Sequence, residues 1–67
     1  MDPANRILRL PDVQSLTGLS KSTLYARIAQ RDFPPSVRLG ARAVGWLESE
    51  VRTWISGQVA RSRGTAA

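Results

Sequence analysis

Sixty-seven residues carry ten Lys+Arg against five Asp+Glu, a net charge of +5 and a pI near 11.5, with 42% hydrophobic residues and neither cysteine nor histidine. That length allows one domain with a small core, and the missing residue types exclude disulfides, Cys/His metal sites, cysteine nucleophiles and histidine bases. The surplus of cations points to a polyanion, either nucleic acid or an anionic membrane surface.

No apolar run approaches the roughly 20 residues that cross a bilayer, and the opening MDPANRILRL lacks the cationic-then-apolar pattern of a secretory leader, so the reading is cytoplasmic. No repeat or low-complexity tract is visible. The expected organisation is a frayed N-terminus over residues 1–5, a folded domain over 6–60 and a flexible basic tail over 61–67.

Ile7 to Leu10 is a short apolar stretch, readable as a strand or as an extended lead-in. Pro11 suits a helix start, because the N–H it lacks would be orphaned there, and Asp12 complements the helix dipole. Val13 and Leu16 lie three apart on one face. Gly18 offers the left-handed conformation that closes a helix, with Leu19 folding back onto it. Ser20 then caps a second helix, Lys21 to Gln30, in which Leu24 and Ile28 point inward. The link Gly18-Leu19-Ser20 has the form of a helix-turn-helix. Any small helical hairpin can use such a link, so its length alone leaves DNA binding open.

After Phe33, Pro34-Pro35 forbids helix and sets an extended course. The alternation that follows predicts a two-stranded hairpin with Val37, Leu39, Val44 and Trp46 on one face, Arg38 on the other, and Gly40-Ala41-Arg42-Ala43 at the tip. From Leu47 to Ala60 the period becomes helical. Leu47, Val51, Trp54, Ile55 and Val59 form the stripe, Glu48 and Glu50 act as helix-start charges, and Gly57 marks where the helix would end or loosen. The predicted core is Val13, Leu16, Leu19, Leu24, Ile28, Phe33, Val37, Leu39, Val44, Trp46, Leu47, Val51, Trp54 and Ile55. Trp46 and Trp54 are read as its anchors rather than as a platform for stacking bases.

With Leu24 inward and about 100° per residue, Ser22, Ala26 and Gln30 fall on the outward face, Thr23 nearby, and Tyr25 and Arg27 on its flanks. A solvated face usually carries Glu and Lys; this one is small, hydrogen-bonding and free of carboxylates. Such a face can approach base edges in a major groove, where Ser and Thr contact several bases, Gln pairs with adenine and Ala touches a thymine methyl. Around it lie Lys21, Arg27, Arg31, Arg38 and Arg42, opposed only by Asp32, so residues 20–46 hold a net +4. These cations suit phosphate, and the loop-borne Arg42 suits a narrow minor groove. Neutralising about five phosphates would give a slope of log affinity against log salt of roughly −4 to −5.

Other chemistries fail by inventory. Glu48 and Glu50 diverge by about 200° on a helix, which rules out an acid/base pair. No P-loop or dinucleotide fingerprint occurs, so no catalytic residue, metal, cofactor or small-molecule substrate is expected. The third helix needs its apolar stripe for the core, and its middle is not rich in Lys or Arg, which disfavours a membrane surface.

Leu10-Pro11-Asp12-Val13, the run Thr17-Gly18-Leu19-Ser20-Lys21-Ser22-Thr23-Leu24-Tyr25, Phe33-Pro34-Pro35-Ser36-Val37-Arg38-Leu39-Gly40, and Val44-Gly45-Trp46 followed by Glu50-Val51 and Trp54 together carry a resemblance. From about Arg6 to Ile55 the chain resembles the AlpA-type prophage regulatory proteins, relatives of phage excisionases and of the MerR-type winged helix-turn-helix. The resemblance implies a mostly α fold with a small β-hairpin: a winged helix-turn-helix of short helix, turn, recognition helix, two-stranded wing and C-terminal helix. It also implies a transcriptional regulator with its second helix in the major groove of double-stranded DNA. Lys21, Ser22, Thr23 and Tyr25 match the family's helix start, and Arg42 its wing arginine. Ala43 stands where relatives often carry a polar or basic residue, implying fewer wing contacts, and Gly45 where alanine is common, implying a looser strand.

The resemblance equally implies an excisionase-like factor that bends DNA and recruits an integrase. A basic protein-interaction module holding an acidic partner is the reading from a different class. One small module reads few bases, so an integrase or a second copy on repeated sites is the further partner to expect. Arg61 and Arg63 either add phosphate contacts from the tail or only solubilise it.

Overall fold

Pro11 lies in the first turn of α1 (Leu10–Thr17), where its missing N–H breaks no bond, and the Asp12 carboxylate accepts from the Arg9 N–H at 3.4 Å. The helix closes on Gly18 in the left-handed conformation at φ 74°, with its N–H donating to Gln14 O at 2.7 Å. Thr17 fixes the turn that follows: its hydroxyl donates to Val13 O at 2.8 Å and accepts from the Leu19 N–H at 3.2 Å. Ser20, in extended conformation, caps α2 (Lys21–Ala29) by accepting from the Thr23 N–H at 3.3 Å.

The computed structural model describes residues 6–64, so the expected frayed N-terminus at 1–5 and the last three residues of the tail expected at 61–67 lie outside the described residues. Three strands and a third helix complete the chain: β1 (Ile7–Leu8) before α1, then β2 (Val37–Arg38), β3 (Val44–Leu47) and α3 (Glu48–Ser62). Of the apolar stretch Ile7 to Leu10, Ile7 and Leu8 form a strand while Leu10 opens α1, so the hairpin becomes an antiparallel three-stranded sheet in the order β1-β3-β2. Three helices with such a sheet are consistent with a winged-helix-like fold. α3 runs through Gly57 and two residues past Ala60, so Arg61 belongs to a helix rather than to a loose tail.

Val13, Leu24, Trp46 and Val51 are fully buried, Leu8 and Phe33 nearly so, and Leu10, Leu19, Ile28, Val44, Trp54 and Ile55 pack against them. Each fully buried large aliphatic side chain contributes about 1.5–3 kcal/mol, which makes Leu8 a substantial member absent from the expected core. Its burial follows from pairing with Trp46, a partner 38 positions away that no local pattern announces.

Three expected core residues are exposed instead: Leu16 (39%), Val37 (40%) and Leu39 (45%). Leu16 stands about 60° around the helix from the line of Val13, beyond the reach of a short helix's single contact face. Val37 and Leu39 fail by register. Val37 pairs with Gly45 and Arg38 with Val44, so Arg38, not Val37, shares the face of Val44 and Trp46. A one-residue offset sends every side chain of a strand to the opposite face.

Candidate nucleic-acid interface

Ser22, Thr23, Ala26 and Gln30 are all exposed along α2, with Lys21 at its start and Tyr25 beside them. The helix begins on a cluster of hydroxyls. Ser20 Oγ donates to Thr23 Oγ1 at 2.9 Å and lies 3.4 Å from Ser22 Oγ. Because Thr23 accepts from Ser20, its own proton is left for an external acceptor. Tyr25 is held by its ring, edge-on to Trp46 with centroids 6.3 Å apart, which ties α2 to the inner face of β3.

The strand register brings Arg38 to the same sheet face as Trp46, the face on which Tyr25 packs. Arg42 sits at the exposed hairpin tip, whose ends are joined by Leu39 and Gly40 N–H groups donating to Ala43 O at 2.8 and 3.2 Å. Lys21, Arg31, Arg38 and Arg42 form no ion pair among the described residues.

Arg27 differs from the free flanking cation that was expected. Its guanidinium binds the Asp32 carboxylate at 2.6 Å and lies 5.7 Å from the centre of the Trp54 ring. Trp54 in turn donates from Nε1 to Asp32 O and packs edge-on against Phe33 at 4.9 Å. Asp32, read from sequence only as a charge subtracted from the patch, joins the end of α2 to α3.

At the opposite end of the sheet, the Glu48 side chain is 5% exposed, held by Arg6 Nε at 2.8 Å and Arg52 Nε at 2.7 Å. The sequence predicts only a helix-start charge, which Glu48 is, at the head of α3. Hydrogen bonds from Arg52 and then Arg6 outweigh its desolvation and hold the carboxyl below its ordinary range. The cations are therefore sorted: Arg6, Arg27 and Arg52 are paired with carboxylates and Arg9 donates from Nε to Val44 O at 3.0 Å, while those along α2's exposed side and the hairpin form no ion pair among the described residues.

This arrangement sits inside a family match. The model of the family described as Prophage CP4-57 regulatory protein (AlpA) matches residues 6–59. The chain belongs to the AlpA family. Relatives agree: it is 52% identical over 60 residues to the protein called Uncharacterized protein ORF88 of Enterobacteria phage P4, covering 88% of this chain and 68% of that protein. It is also 39% identical over 59 residues to the DNA-binding transcriptional activator AlpA of Escherichia coli K12, covering 79% of this chain and 84% of that protein. The AlpA match contains every candidate contact residue from Lys21 to Arg42 and stops short of Arg61. Among the described residues of this AlpA-family chain, no helix is long and apolar enough to cross a membrane.

Proposed function

We propose that this AlpA-family protein is a cytoplasmic prophage-type transcriptional regulator that binds double-stranded DNA sequence-specifically. In this reading α1 and α2 are a helix-turn-helix, α2 lies in the major groove, and the β2–β3 hairpin is a wing on the backbone or in the minor groove. One observation carries it: an exposed helix face without carboxylates, together with four exposed cations, Lys21, Arg31, Arg38 and Arg42, that form no ion pair among the described residues. The relative named as a DNA-binding transcriptional activator supports the same reading.

Lys21, Arg31, Arg38 and Arg42 take phosphates, and Tyr25, anchored by its ring, offers its hydroxyl at the edge. Ser22, Thr23, Ala26 and Gln30 face the bases. Arg27 sets α2 against α3 through Asp32 and Trp54, rather than serving as a phosphate ligand.

The division of labour is testable on duplexes selected from a random pool and on scrambled controls. Arg42→Ala is expected to weaken both alike, whereas Thr23→Val or Ser22→Ala shifts sequence preference and leaves scrambled affinity near wild type. If Arg42→Ala spares the scrambled duplex, or if the helix variants leave preference unchanged, the proposed orientation is wrong.

A further inference from the structure

Arg31 occupies a backbone position made for glycine. It follows the cap residue Gln30 of α2 at φ 61°, the one positive φ at a non-glycine among the described residues. Its N–H donates to Ile28 O at 3.0 Å, and the Asp32 N–H to Arg27 O at 2.8 Å. This is the double bond of a left-handed helix closure, which glycine makes without a clash. The Arg31 side chain is exposed and has no hydrogen bond or ion pair among the described residues. A long cation with no side-chain partner among the described residues, at a position whose backbone disfavours a side chain, points to a task outside the fold.

A second cation faces the same space. Arg31 and Arg61 both line a groove of about 590 Å³ between the loop after α2 and α3, with Ser49 and Thr53 along the α3 side. Arg61 also has no ion pair among the described residues, and Asp32 in the groove is occupied by Arg27. Glu50 is the opposing carboxylate. Resting on the duplex-binding reading above, we infer that Arg31 and Arg61 form a second anion site. It is a two-arginine clamp for DNA backbone phosphate flanking the segment read by α2. Guanidinium groups on one groove match the repeated charge of a backbone. Arg31, already assigned a phosphate above, gains Arg61 as its partner, and the clamp extends the footprint from the end of α2 to the last turn of α3.

The test measures duplex affinity against salt for wild type, Arg31→Gly, Arg61→Gln and the double variant. The duplex extends at least one helical turn beyond the selected site. Each single change is expected to reduce the magnitude of the log–log slope by about 0.9 and the double change by about 1.8. Arg31→Gly should at the same time raise the thermal unfolding midpoint by roughly 2–6 °C, separating lost contact from lost fold. Glu50→Gln should tighten binding at low salt. Wild-type slopes in the arginine variants overturn the clamp while leaving duplex binding intact. Binding of the same proteins to polyglutamate is measured in parallel, and variants that lose it while keeping the wild-type duplex slope overturn the clamp in favour of a protein-docking groove. A wild-type chain that binds no duplex removes both the clamp and the reading beneath it.

Discussion

Gly45 has no room for a methyl group. A Cβ built there would overlap Ile7 Cγ2, come within 2.9 Å of the Leu8 carbonyl oxygen and within 3.3 Å of Leu39 Cδ1. The looser strand that the resemblance implies at Gly45 is replaced by a close approach: neighbouring chain segments close over the bare backbone. Gly45→Ala is accordingly expected to cost about 1–3 kcal/mol, read as a lower urea midpoint; an unchanged midpoint would show that β1 shifts freely. Ser20 works at the same scale. It caps α2 and orients the Thr23 hydroxyl, so Ser20→Ala should cost about 1 kcal/mol and also alter sequence preference, which a purely structural cap would leave alone.

Among the elements, the joints decide more than the helices do. Glu48 ties the start of α3 to the chain before β1: its N–H donates to Arg6 O at 2.8 Å while its carboxylate holds the Arg6 and Arg52 side chains. Its folded pKa is lowered from an ordinary 4.5, so its contribution is complete above that value and lost as pH falls through the folded one. Acid titration of stability should therefore show a step below the ordinary carboxylate range that Glu48→Gln removes; an identical acid limb in the variant would contradict the joint. The tie to Arg6 is not legible in the sequence, because that partner comes from chain 42 positions away, although Arg52 is only the i,i+4 neighbour of Glu48. Both ends of α1 and the start of α2 are legible, since Pro11, Gly18 and Ser20 act on backbone groups within four residues of themselves. The hairpin's inner face was misread because alternation gives two faces and no register; the pairing of Val37 with Gly45 decides which is which. Arg31 carried no signal at all, since a left-handed helix end is ordinarily announced by glycine.

Across the whole molecule, the candidate site was largely visible as composition: a carboxylate-free face on α2 and a local surplus of arginine. What the sequence could not show is which cations the fold consumes. Arg27 is taken by Asp32, and Arg6 and Arg52 by Glu48, whereas Lys21, Arg31, Arg38 and Arg42 form no ion pair among the described residues and Arg61 joins them from α3. The most direct measurement is duplex affinity over a range of salt concentrations. Four available cations predict a log–log slope of about −3.6, and Arg61 deepens it to about −4.5. A complex whose affinity does not change with salt, or a chain that ignores duplex DNA at low salt, would contradict the account.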